Sequence, residues 1–235
     1  MEVALVLKLI YLEIKKFKLI HYLKGVAFAN LGFIGLLSLI YFLEVNNGKI
    51  PFESYDMAFT IIGAAVRATF IIFASVLIVK LIIDEYKTKS IEVMFTYPIN
   101  RKKIMLSKLS IVLFFTFTSV LLSCLFIGGL FYIVDSVVQF VPDRLTQEGL
   151  NNYLLSTLMG SLATAGLSLI PLLFGLRKKS GPTTIIAAIF LVILTNTISD
   201  DFSLFSIIAI PLSLAAVGVF LALLTIRNIE KVDVS

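Results

Sequence analysis

Met57–Ile83 reads MAFTIIGAAVRATFIIFASVLIVKLII, and its only charged residues are Arg67 and Lys80. At ~1.5 Å of rise per residue this run makes about 40 Å of helix, more than the ~30 Å hydrocarbon core of a bilayer. The run therefore reads as a membrane-spanning helix. The whole chain shares its character: 235 residues, 59% hydrophobic, 15% charged, mean hydropathy +1.02. A soluble domain is nearer ~45–50% apolar and ~25% charged, so a polytopic membrane protein is expected.

Working outward, six apolar segments are predicted as spans: Lys24–Leu43, Met57–Ile83, Ile104–Val134, Leu150–Leu176, Thr183–Ile198 and Ser206–Ile226. The fifth is the shortest, rising only ~24 Å, and needs local thinning of the bilayer or help from Gly181 and Pro182. Lys and Arg are concentrated in alternate loops. Those before the first span, around the 84–103 loop, at Arg177–Lys179 and after the last span lie on one side. The other side has only Lys49 and Arg144, with Glu44, Glu53, Asp56, Asp135, Asp143, Glu148, Asp200 and Asp201. The positive-inside bias then places both termini in the cytoplasm and makes the span count even. The net charge of +5 is distributed for anionic headgroups and not for nucleic acid.

Residues 1–22 form an interfacial segment, in which Met1–Ile20 reads as an amphipathic helix in the membrane plane. Val3, Val6, Leu7, Ile10, Ile14 and Phe17 share a sector, with Lys8, Lys15, Lys16 and Lys18 outside it. Its interruption by charges is unlike a cleavable signal peptide, so it is expected to persist in the mature protein. Along the fourth span, Ser156, Gly160, Thr164 and Ser168 recur every four residues, as do Thr157, Ser161 and Ala165. Such stripes serve close helix packing, with a sliding surface as the alternative. Pro171 and Pro211 are expected to kink or interrupt their helices.

Much chemistry is excluded. The Gly48–Lys49 pair lacks the remainder of a P-loop, a single histidine (His21) rules out HExxH, and no Gly-x-Ser-x-Gly is present. Cys124 is the only cysteine, so no intrachain disulfide can form. An intramembrane protease would need paired acids, or His with Glu, inside the spans, and the six segments contain no Asp or Glu. Arg67 falls near mid-membrane. It is expected to face a water-filled cavity, to bind carbonyls or polar groups such as Asn30 or Asn196, or to snorkel, either as a structural arginine or as one lining a translocation path.

The cytoplasmic loop, residues 84–103, follows the second span and reads DEYKTKSIEVMFTYPINRKK. Ser90–Phe95 suits a helical turn lying on a surface. Pro98 stops it, Asn100 can cap the next helix, and Arg101, Lys102 and Lys103 meet headgroups. Exposed Ile91, Met94 and Phe95 within a charged loop look like a contact surface.

This pattern resembles the permease subunits of ABC-2-type ABC transporters. The matching positions are Glu85, Lys89-Ser90-Ile91-Glu92, Pro98-Ile99-Asn100-Arg101 and Lys108; Lys89 and Asn100 depart from the usual glycine and small hydroxyl residue. The resemblance implies a single all-α transmembrane domain over residues 1–235. It implies a coupling helix that docks on a separate ATPase through Glu85, Ser90, Ile91, Glu92, Met94, Phe95, Pro98 and Arg101. It further implies two cytoplasmic ABC ATPases that bind ATP and Mg, no cofactor on this chain, and a second copy or a related permease, all in a bacterial plasma membrane. The small, very apolar form is similar to permeases that export bacteriocins or other amphipathic peptides. A non-transporting scaffold or sensor subunit, or an exporter of another lipophilic cargo, is the alternative.

Overall fold

The computed structural model describes residues 2–17, 20–47, 52–87, 101–139, 141–196, 198–199, 202–203 and 209–232. Within them the chain is helical apart from one two-residue pairing. In order come α1 (Glu2–Lys16), α2 (Ile20–Asn46), α3 (Tyr55–Ile78), a π turn (Val79–Ile83) and α4 (Asp84–Lys87). Then follow α5 (Arg101–Val138), α6 (Gln147–Leu167), α7 (Ile170–Lys178), α8 (Gly181–Thr195), β1 (Ile198–Ser199), β2 (Phe202–Ser203) and α9 (Ala209–Val232). By length and composition four stretches can cross a membrane: His21–Asn46, Tyr55–Lys87, Lys102–Val138 and Gln147–Lys178. Gly181–Thr195 and Pro211–Thr225 are shorter apolar helices.

These boundaries refine the sequence reading. The expected fourth span, Leu150–Leu176, is broken at Ser168–Leu169, and Pro171 stands in the first turn of α7. Proline is well placed there because a first-turn N–H has no intrahelical partner to lose. The same logic removes the kink expected at Pro211, which lies in the first turn of α9. The expected fifth span, Thr183–Ile198, ends early: α8 stops at Thr195 with Asn196 as its cap, and Ile198 pairs with Ser203 in an antiparallel ladder. Between α7 and α8, Lys179 adopts a left-handed conformation (φ 45°) and the Ser180 N–H closes the turn on the Gly175 carbonyl at 3.2 Å.

Two cores are stacked along the bundle. At the Lys-rich end Leu77, Ile78, Leu81, Ile82 and Ile83 pack on Met105, Leu109, Val112, Leu169, Leu172 and Ala222, with Ile10 and Phe17 of α1 laid against them. At the Lys-poor end Phe52, Tyr55, Phe59, Phe70, Val120, Ile127, Phe131 and Tyr153 form an aromatic-rich core. There the Tyr55 hydroxyl donates to Asp135, whose other oxygen accepts from the Val141 N–H at 3.0 Å. This joins the start of α3 to the end of α5. Helix α3 runs through both cores, whereas α2 is peripheral and leaves Phe28, Leu31 and Phe42 exposed.

The stripes on α6 serve two purposes. Thr164, Ala165 and Ser168 are fully buried, while Ser156 remains exposed. Within this buried stretch α6 meets α9 backbone to backbone: a Cβ on Gly218 would lie 2.3 Å from the Gly166 carbonyl oxygen, and a Cβ on Gly166 would lie 2.7 Å from that of Ala215. Small residues at this crossing let helices approach where lipid supplies no hydrophobic drive. Gly218→Val is therefore expected to lower the thermal unfolding midpoint in detergent, by overpacking worth about 1–3 kcal/mol or more. Gly129→Ala, which meets nothing within 4 Å, should leave the midpoint unchanged or raise it slightly.

Candidate functional site

Lys108 occupies the second turn of α5 and is completely buried (0% exposed). An ammonium group removed from water needs every one of its protons met. Its Nζ donates to the Leu81 carbonyl at 2.7 Å and pairs with Glu85 Oε2, with Glu13 Oε1 of α1 at 3.6 Å and the Phe17 ring centroid at 5.5 Å. Glu85, 6% exposed, uses its second oxygen to accept from Lys16 Nζ at 2.6 Å. Three segments meet in this clasp: α1 through Glu13, Lys16 and Phe17, the π turn with α4 through Leu81 and Glu85, and α5 through Lys108.

The wide turn has a local function. Across Val79–Ile83 the Asp84 N–H reaches back five residues to the Val79 carbonyl. Such bulges re-aim the groups around them. Arg67 and Glu85 are 18 residues apart, which in an uninterrupted α-helix is five turns and a single face. Arg67 faces α5 and α6 at the cleft, while Glu85, beyond the π turn, faces α1 and α5.

Glu85 and Lys108 were singled out in the sequence by the family pattern alone, and the structure brings them into contact. Lys108 is thus no headgroup lysine, although it contributed to the basic bias. Glu13 had no assigned role. It is buried (6% exposed) on the Ile10–Glu13–Phe17 face, which packs on protein, whereas Tyr11 and Leu12 are exposed. The recurrence of Ile10, Glu13 and Phe17 at i, i+3 and i+7 was the available signal. Ser90, Ile91, Glu92, Met94, Phe95 and Pro98 lie outside the described residues, as do Lys89, Ile99 and Asn100. Arg101 is the first residue of α5.

A second site lies in the Lys-poor half. A cleft of about 410 Å³ opens between α3, α5 and α6, with Asp56, Thr60 and Asn152 exposed at its rim. Its α3 wall is Asp56, Phe59, Thr60 and Arg67, a single helical face at i, i+3, i+4 and i+11. Facing it on α6 are Tyr153, Ser156, Thr157, Gly160 and Ser161, with Val120 and Cys124 of α5 between. Phe59 stacks on Tyr153 at 4.0 Å between centroids, and the Tyr153 hydroxyl donates to the Cys124 carbonyl at 2.6 Å. Arg67 accordingly lines this cleft, among polar and apolar side chains alike. Asn30, on α2, and Asn196, capping α8, do not line it.

The sequence profile of the family described as "ABC-2 family transporter protein" matches residues 9–195. The chain belongs to this family. It is also 44% identical over 227 residues, 97% of this chain and the full length of the relative, to "Uncharacterized protein YcbO" of Bacillus subtilis (strain 168). No solved structure matches the chain. The protein is therefore a membrane component of an ABC-2 transporter, a family that normally works with an ATPase carried on a separate subunit. In this ABC-2 protein the clasp ties α4, which precedes residues 88–100 in the chain, to α5, which follows them.

Removing Glu85 strands a buried ammonium. Glu85→Gln is expected to destabilise the detergent-solubilised protein by about 3–5 kcal/mol, and the double variant Glu85→Gln, Lys108→Met should recover most of that loss. Lys16→Ala, which removes a half-exposed partner, should cost less than about 1 kcal/mol. Thermal unfolding midpoints check all three.

Burial pushes the Glu13 carboxyl above its ordinary value of 4.5, against the opposing pull of Lys108 and Lys16. An acid raised in the folded state binds more protons folded than unfolded between its two pKa values, so stability falls as pH rises through that window. Glu13→Gln is expected to flatten the unfolding midpoint above pH 4.5, whereas the wild-type midpoint declines there. An unchanged slope would show that Glu13 does not titrate in the clasp.

Proposed function

We propose that this chain is the permease of an ATP-driven exporter, crossing the membrane six times with both termini in the cytoplasm. Two copies, or one copy and a related permease, associate with two cytoplasmic ABC ATPases that bind ATP and Mg. The helix centred on Ser90–Phe95 docks in a groove on the ATPase, Ile91, Met94 and Phe95 as apolar anchors and Glu92 as the charged contact. The cargo is a hydrophobic or amphipathic peptide moved out of the cell or out of the membrane, and Arg67 lines its path.

The observation that carries this reading is the buried clasp of Glu85 and Lys108. A loop that only enforced topology would need no desolvated ion pair at its base. A loop that receives force does, because α4 and α5 must move together when the loop is pushed. Packed cores switch between discrete arrangements and do not deform smoothly, so joined legs transmit displacement into α3 and α5. Glu85, Pro98 and Arg101 then act as positioning residues for the coupling helix, with Glu85 engaged inside the chain.

The test is co-purification in mild detergent with the ABC ATPase of the same cell. Glu92→Arg with Phe95→Ala should abolish ATPase retention while leaving membrane insertion and the unfolding midpoint unchanged. Retention equal to wild type would remove the docking assignment.

A further inference from the structure

We infer that the cleft between α3, α5 and α6 binds the oxyanion of an amphiphile, a carboxylate or phosphate held by Arg67, with its apolar body along the Phe59–Tyr153 wall. The inference deepens the permease reading by naming the chemical class of the cargo, and it rests on that reading for calling the bound molecule cargo.

Recognition of charge in this cleft falls to one cation. Among the described residues that line it, Arg67 is the only Lys or Arg, and Asp56 is the only acid. Asp56 stands at the exposed rim, 11 residues nearer the start of α3. The hydroxyls opposite do not supply donors either. Ser156 donates to its own helix at the Tyr153 carbonyl (3.0 Å) and Ser161 at the Leu158 carbonyl (2.8 Å), so both turn lone pairs outward. Among the charged groups that line the cleft, the guanidinium is the one whose planar fork matches carboxylate and phosphate in bidentate fashion.

The backbone prepares the position of that fork. Helical side chains lean toward the N-terminus, which for α3 is the Lys-poor end and the mouth of the cleft. One turn in that direction lies Gly63, where a Cβ would stand 2.8 Å from Arg67 Nη1. The guanidinium thus lies over the bare backbone of Gly63, within the cleft wall. The apolar requirement comes from the Phe59–Tyr153 stack, which is pinned by the Tyr153 bond to the Cys124 carbonyl. A cleft of about 410 Å³ lies in the size range of small-molecule sites and accommodates one end of a peptide or lipid.

Binding is measured on the purified full chain in a neutral maltoside detergent, by native mass spectrometry, with no ATPase present. Failure of the ATPase docking test therefore leaves this result standing, and the reverse holds too. The probes are an apolar decapeptide with a free C-terminal carboxylate, the same peptide as its C-terminal amide, lysophosphatidylglycerol, and inorganic phosphate. The acid peptide, the lysophospholipid or both should bind wild type about tenfold or more tightly than Arg67→Gln, the amide and inorganic phosphate being weak on either protein. Arg67→Lys should retain part of the affinity, and Gly63→Leu, which displaces the fork while keeping the charge, should lose it. Preference for the acid peptide assigns a peptide source, and preference for lysophosphatidylglycerol a lipid one. Equal binding to wild type and Arg67→Gln, or no binding of either oxyanion probe to a wild type that elutes as a folded species, overturns the inference. If Arg67→Gln does not fold, Arg67→Lys and Gly63→Leu decide it: affinity equal to wild type in both is the overturning result.

Discussion

An ammonium group with no water around it dictates the architecture of the Lys-rich end. Lys108 is buried on α5, and such a charge persists only where its protons are met by a carboxylate and by a carbonyl. Both come from the preceding segment, Glu85 from α4 and the Leu81 carbonyl from the π turn, so α4 and α5 cannot separate without exposing or stranding the charge. The amphipathic helix is drawn into the same constraint through Glu13 and Lys16. A helix that the pattern of residues places on a lipid surface is thereby fastened to the bundle by charge as well as by Ile10 and Phe17.

The opposite end obeys a different logic. There the aromatic core of Phe52, Tyr55, Phe59 and Phe131 closes one side of α3, and the Tyr55–Asp135 bond fixes its first turn to α5. On its other side α3 diverges from α6, whose small residues line a cleft instead of packing shut. Lower on the same helix the stripe continues as Thr164, Ala165 and Ser168, now fully buried, and ends at the Gly166–Gly218 crossing. One compositional device thus produces tight packing at one level and open volume at another, because the partner helix changes along its length.

Much of the fold was legible because lipid permits so few alternatives. The long helices α2, α3, α5 and α6 follow from apolar runs, and Pro171 signalled the interruption of the fourth. What composition leaves open is the exact breakpoint, Ser168–Leu169, a few residues ahead of that proline. Similarly, the end of α8 at Thr195 is set by capping and not by hydropathy. The site was legible in part. Glu85 and Lys108 were visible as a family pattern, but Glu13 reads as a mere interruption of an apolar face until the helix is seen against protein. Arg67 was conspicuous as a charge at depth. Its cleft partners were not, because serine, threonine and tyrosine on α6 look the same whether they pack or line a void.

The clasp and the cleft share one helix, and the π turn decides what that sharing can do. Arg67 lies about 27 Å from Glu85 along the axis at ~1.5 Å per residue. Without the wide turn both would face the same neighbours, and movement of α5 against α3 would act on a single seam. With it, Glu85 grips α1 and α5 at one end while Arg67 confronts α5 and α6 at the other. Under the proposed coupling, a displacement applied between α4 and α5 would be borne on the clasp, and α3, which runs through both cores, would carry it to the cleft. The wall that shifts is the one holding Arg67, and α6 cannot simply follow, because its lower half is locked to α9 at Gly166 and Gly218. Under the proposed coupling, relative motion between α3 and α6 would change the width of the cleft, as a site whose access depends on work done at the clasp end requires.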